Sequence, residues 1–187
     1  MHSAQTSSQT LIDTLRRSAA RHPHKLAIKH GARCWTYAQF YDVCARVAGG
    51  MQRLGTAPGD RIAILSRNSS AFASGRYAVA ATGAIFVPVN FMLNAHEAAY
   101  ILNHSGARLL LVGKTEVSKA QALAALCPTI EMMIWLGSEE GLPTPPGMMP
   151  FSALSSGQAF TPVDALGAAD PAQIIYTSGT ESAPKGA

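Results

Sequence analysis

The middle of the sequence predicts an α/β fold built from parallel βαβ units. Short apolar runs at 60–65, 85–89, 109–112 and 130–136 alternate with helix-patterned stretches. Ile62 to Leu65, Ile85 to Val89, Leu109 to Val112 and Met132 to Leu136 are continuously apolar, as expected of strands covered on both faces. Each interval between them is long enough for the crossover helix that parallel strands require, and such crossovers are right-handed.

The elements follow in order. Residues 1–10 are polar and read as a disordered start. Leu11, Ile12, Leu15 and Ala19 recur at helical spacing, and Pro23 ends that helix. Lys25 to Tyr37 reads as a hairpin turning at Gly31. Thr36 with Gln39 is a capping-box pattern opening a helix that carries Phe40, Val43, Val47, Met51 and Leu54, with Gly55 as its stop. Gly49-Gly50 weakens that helix and predicts close approach of another element. Ser69 to Thr82 is a small-residue helix. Asn94 and Glu97 cap the next one, closed by Gly106, and Thr115 to Leu126 forms another. Residues 11–136 thus form one N-terminal α/β region. Residues 137–170 are rich in Pro, Gly and Ser and read as a connector at a subdomain boundary. Residues 171–187 hold a strand, Gln173 to Tyr176, and a loop.

Composition narrows the function. Charged residues make up 14% of the chain, against about a quarter in an ordinary soluble domain, so some surface is expected to pack on other chain or to self-associate. The net charge of +4 comes from scattered residues, with no basic stripe and no stacking platform for nucleic acid. Cys34, Cys44 and Cys127 lack metal or redox spacing and read as structural thiols in a reducing compartment. The first residues lack the order of a signal peptide, and the most apolar stretch, 77–89, is too short and broken to span a bilayer. A soluble cytoplasmic protein is expected. His22 and His24 read as helix-end residues, and no acidic cluster accompanies His96 and His104 to bind a metal.

The chemistry concentrates at Thr177-Ser178-Gly179-Thr180-Glu181-Ser182-Ala183-Pro184-Lys185-Gly186, directly after the last strand. Glycine lets backbone approach oxygens closely, successive amides form an anion nest, hydroxyls donate, and lysine supplies charge. These are the residue types that hold polyphosphate. The order is not that of a Walker A loop, because Pro184 precedes Lys185 and Gly186 follows it. No Gly-x-Gly-x-x-Gly follows a strand either, which disfavours a dinucleotide-binding oxidoreductase. On composition alone, an ordinary surface loop is an equal reading.

Tyr176-Thr177-Ser178-Gly179-Thr180 followed by Pro184-Lys185-Gly186 resembles the signature phosphate loop of adenylate-forming enzymes, the AMP-binding family of acyl-CoA synthetases, luciferases and peptide-synthetase adenylation domains. Upstream, Thr36-Tyr37, Gly59-Asp60-Arg61-Ile62-Ala63-Ile64, the run Gly83 to Asn90, Glu97 to Leu102 and Ser105 to Arg108 resemble that family's earlier blocks in the same order. The likeness covers nearly the whole chain from about residue 10.

The resemblance implies the N-terminal part of an acid–CoA ligase, with Thr177, Ser178, Gly179, Thr180, Lys185 and Gly186 around the β- and γ-phosphates of ATP. It implies attack of a carboxylate on the α-phosphorus to give an acyl-adenylate and pyrophosphate. Displacement of AMP by the thiol of coenzyme A follows, with Mg²⁺ neutralising phosphate charge. Glu181-Ser182 departs from the Thr-Gly of many members and resembles acyl-CoA ligase branches. The family's later blocks, which carry the adenine, ribose, metal and acyl contacts and the catalytic lysine, lie outside this sequence. No catalytic residue is therefore assigned here, and the 187-residue chain is expected to lack ligase activity and to bind ATP weakly. A non-catalytic remnant or interaction module, and a piece of an aminoacyl adenylation domain, are the alternatives.

Overall fold

The computed structural model describes residues 10–163, 166–177 and 184–187. Helix α1 (Leu11–Arg21) begins at a reciprocal cap: the Asp13 N–H donates to Thr10 Oγ1 at 3.4 Å, and the Thr10 N–H donates to the Asp13 carboxylate at 3.3 Å. Thr10, which composition placed in the polar start, is thus part of the fold. Strands β1 (Leu26–His30) and β2 (Arg33–Thr36) form the expected antiparallel hairpin. Helix α2 (Tyr37–Arg53) opens with the predicted box: Thr36 N–H donates to Gln39 Oε1 at 2.9 Å, and Gln39 N–H to Thr36 Oγ1 at 3.3 Å.

The central sheet contains β3 (Arg61–Leu65), β4 (Ile85–Val89), β5 (Leu109–Val112) and β6 (Met132–Trp135), each parallel to its neighbours. The strand order is β4-β3-β5-β6 with β7 (Met148–Pro150) added at the edge, also parallel. Helices α3 (Ser70–Ala81), α4 (Ala95–Ser105) and α5 (Val117–Leu126) make the crossovers.

Side chains alternate across the sheet. Ile62, Ile64, Phe86, Leu109, Leu111 and Ile134 face one core with α1, α2 and α3. Ala63, Leu65, Val87, Leu110, Val112 and Met133 face the other with α4 and α5. Both faces are buried, which is why the strands read as unbroken apolar runs.

The connector segment differs from its reading. Residues 137–170 supply most of a 3-10 turn (Leu136–Glu140), the edge strand β7 and a short helix α6 (Ser152–Ser155). Phe151 and Leu154 are fully buried. An edge strand tolerates proline because one side of its ladder needs no partner, so Pro150 within a Pro- and Gly-rich stretch concealed the strand. The close approach predicted at Gly49-Gly50 is made by this segment, with Leu154 against Gly50 and Gln158 against Gly49. Cys44 and Cys127 are buried, but Cys34 on β2 is exposed and is not a core thiol.

Candidate phosphate-binding site

The sheet order reverses between β3 and β5, and the carboxyl ends of its strands form one rim. Ligands of open α/β sheets collect at such a rim. Beyond β4, the chain returns along the edge. Phe86 N–H donates to Ala172 O and Ile174 N–H to Phe86 O, both at 3.0 Å, so Gln173 makes a single parallel bridge to Phe86. The expected strand Gln173 to Tyr176 is therefore split: a bridge at Gln173, then a separate two-residue strand β8 (Tyr176–Thr177).

β8 pairs antiparallel with β9 (Lys185–Gly186), with Tyr176 opposite Gly186 and Thr177 opposite Lys185. Ile175 and Ala187 exchange two further backbone hydrogen bonds, at 2.8 and 3.0 Å. The segment after Lys185 is thus paired rather than trailing, and the loop has a closed neck. Among the sequence-predicted site residues, Thr177 and Lys185 face each other in register at that neck, both exposed, with Gly186 beside them. Ser178, Gly179 and Thr180 lie outside the described residues. Gly186 is required by proximity: a Cβ there would stand 2.9 Å from Ile174 Cγ2 and 3.0 Å from Tyr176 Cζ.

A groove of about 370 Å³ runs from the neck to the rim, lined on its apolar side by Phe72, Phe91, Leu93 and Ile101, and at the neck by Ile175, Tyr176 and Pro184. Ser66 and Asn68, leaving β3, add polar atoms. The Arg67 guanidinium lies 4.3 Å over the Phe91 ring.

The sequence reading missed the partners of Tyr176. The phenol oxygen lies 2.8 Å from His104 Nδ1, the His104 ring stacks on Tyr100, and the two tyrosines bracket the imidazole. Burial first, then neighbouring Tyr100, push the Tyr176 phenol above its ordinary value, against the smaller opposing influence of Ser105. The signal was present as Tyr100 and His104 four apart on one helix face. Among the described residues, no group of three or more His, Cys, Asp or Glu is gathered to hold a metal. Among them too, no helix is long and apolar enough to cross a membrane.

A parallel sheet whose rim carries this threonine–lysine neck agrees with a match of the AMP-binding enzyme family model to residues 15–187. The chain belongs to the AMP-binding enzyme family. Its relatives include acid–CoA ligases and a fatty acid–acyl-carrier-protein ligase of Streptomyces coeruleorubidus. It is 32% identical over 171 residues to a feruloyl-CoA synthase of Amycolatopsis sp, covering 91% of this chain and 31% of that protein. It is 34% identical over 152 residues to the long-chain-fatty-acid–CoA ligase FadD13 of Mycobacterium tuberculosis, covering 81% of this chain and 28% of that protein. The N-terminal domain of FACL13 from Mycobacterium tuberculosis, solved with an inhibitor, superposes with a TM-score of 0.83 at 31% identity over 95% of this chain and 43% of that one. The chain spans about a third of the length of these curated relatives. As a member of the AMP-binding enzyme family it shares the N-terminal α/β architecture, with the β8–β9 pair at the sheet rim.

Proposed function

We propose that this chain forms the N-terminal, phosphate-holding part of an ATP-dependent acid–CoA ligase. The observation that carries the reading is the β8–β9 neck, which sets Thr177 opposite Lys185 at the base of a Ser-, Thr- and Gly-rich loop on the sheet rim. The residues suit a triphosphate. Lys185 is a mobile cation with three donors, Thr177 offers a hydroxyl, and Gly186 lets backbone lie close to the Tyr176 ring. A bound Mg²⁺ would neutralise phosphate charge as the α-phosphorus is attacked. The chain's own residues hold the β- and γ-phosphates and so orient pyrophosphate as the leaving group.

The reaction in this reading joins a carboxylate to AMP with release of pyrophosphate, then exchanges AMP for the thiol of coenzyme A. The named relatives, a feruloyl-CoA synthase and a long-chain-fatty-acid–CoA ligase, favour an aromatic or fatty acid over an amino acid. Cytoplasmic location, coenzyme A as acceptor, and adenine, ribose and acyl contacts from residues outside this chain belong to the same proposal. The test is acid-dependent ATP–pyrophosphate exchange by the complete ligase, over a panel of fatty, aromatic and amino acids. Exchange with a fatty or aromatic acid, followed by thioester formation on adding coenzyme A, is expected. Exchange with amino acids alone would replace this reading with the aminoacyl one, and no exchange with any acid would favour a non-catalytic protein.

A further inference from the structure

We propose that His104 is a positioning residue for the phosphate loop, its imidazole pinning Tyr176 and, through it, the β8–β9 neck to the end of α4. The inference deepens the reading above, on which its catalytic consequence rests.

Backbone pairing ties the returning chain to the sheet only as far as Ile174, through Phe86. Beyond that point, the β8–β9 pair bonds to itself. Among the described residues, the 2.8 Å bond between Tyr176 and His104 joins this neck to the body of the fold. Without it, the neck rests on the packing of Tyr176 and Ile174.

The other end of the pin is fixed. Gly106 closes α4 in the left-handed conformation. Arg61, rooted in β3, donates from Nε to Ser105 O at 2.7 Å and from Nη2 to Gly106 O at 2.9 Å, satisfying the helix's last carbonyls. The Tyr100 ring lies 5.6 Å from the His104 ring, centroid to centroid, at an interplanar angle of 24°, which limits the rotation of the imidazole.

The phenol therefore meets a preset partner. In the neutral ring with its proton on Nε2, Nδ1 accepts from the Tyr176 hydroxyl. Tyr176 is paired with Gly186 and precedes Thr177, whose register partner is Lys185. One hydrogen bond at His104 thus sets the placement of both sides of the neck. His104 touches no substrate in this scheme and acts only through Tyr176.

The experiment compares His104→Leu, His104→Asn, Tyr176→Phe and the Leu/Phe double variant. The asparagine carries a polar atom close to the position of Nδ1 and serves as the conservative rescue. The first readout, independent of activity, is backbone amide exchange of the 174–187 segment in the purified chain without nucleotide. The second is the KM for Mg·ATP in the exchange reaction of the complete ligase. His104→Leu and Tyr176→Phe should each speed amide exchange and raise KM about three- to tenfold, the size one neutral hydrogen bond carries. The double variant should be no worse than either single one. His104→Asn should stay near the parent, and the KM for coenzyme A should not move. Unchanged amide exchange in His104→Leu, additive losses in the double variant, or an Asn variant as impaired as Leu would overturn the pin. A parent without ATP–pyrophosphate exchange would sink the ligase reading instead, while the amide-exchange comparison would still decide the pin.

Discussion

Gly50 of α2 and Leu154 of α6 pack backbone against backbone: a Cβ on Gly50 would stand 2.5 Å from the Leu154 Cα and 2.7 Å from its Cβ. Alanine at this position gains about 1 kcal/mol in helix propensity, but overlap with a neighbouring backbone costs about 1–3 kcal/mol because the main chain yields less than a side-chain tip. Gly50→Ala should therefore lower unfolding stability by up to roughly 2 kcal/mol after the propensity gain. Denaturant titration of the purified chain measures it. A midpoint equal to or above the parent would show that α6 is free to move away.

That contact also shows what the sequence could and could not disclose. The adjacent glycines announced a close neighbour, because only proximity justifies two of the weakest helix formers in mid-helix. They could not say which neighbour, since a segment of Pro, Gly and Ser carries no periodicity to place it. The four core strands were legible because burial on both faces leaves unbroken apolar runs. The three-residue edge strand β7 was not, because half its ladder is free and its composition is that of a loop. At the site, the loop's residue types and order were readable, and so was Lys185. The pairing that closes the neck was not, since it depends on two-residue strands held by Ile175 and Ala187. His104 looked like an unremarkable helix-surface histidine until Tyr176 was placed beside it by a contact 72 positions away in sequence.

Arg108 should govern part of the acid stability. Its guanidinium donates to Asp60 at 2.6 Å and to Glu131 at 2.7 Å, fastening β5 to residues at the ends of β3 and β6. Hydrogen bonding to Arg108 holds the Glu131 carboxyl below its ordinary value. A carboxyl depressed in the folded state contributes stability that is fully present above the ordinary glutamate value, near 4.3, and lost as pH falls through the lower folded value. The thermal midpoint of the parent should fall over that acidic window. Arg108→Met should flatten that part of the profile, with only a small loss at neutral pH because the Glu131 side is exposed and screened by solvent. Profiles of equal acid slope in the two proteins would argue against the linkage.

Gly186 tests the packing of the neck itself. Its Cβ position is crowded by Ile174 and the Tyr176 ring. Gly186→Val should push that ring aside, separate Tyr176 from His104 and weaken Mg·ATP binding by the complete ligase several-fold. The thermal midpoint should change little, because β8 and β9 lie outside both core clusters apart from Tyr176 packed at the margin of one. Calorimetric titration beside a melting curve separates the two effects, and unchanged ATP affinity would show that the neck tolerates the displacement.

Lys185 carries the charge in the proposed site. Its ammonium is exposed at the neck, opposite Thr177, where it is free to turn toward an incoming anion. Replacing it by alanine removes a charge-assisted hydrogen bond worth about 1.5–3 kcal/mol when fully formed. Solvent screening at an exposed site favours the lower end of that range, so pyrophosphate or ATP handling should weaken by about tenfold. The loss should appear in the KM for ATP and pyrophosphate during exchange, with the KM for the acid unchanged, because the loop touches phosphate rather than the acyl group in this reading. Lys185→Arg should recover part of the loss: it keeps the charge, but its planar donor fork does not reproduce the compact ammonium. Raising the salt concentration should shrink the difference between parent and Lys185→Ala, as expected of a partly screened Coulombic contact. Identical exchange kinetics in the parent and Lys185→Ala, at low salt and subsaturating ATP, would remove Lys185 from the phosphate site.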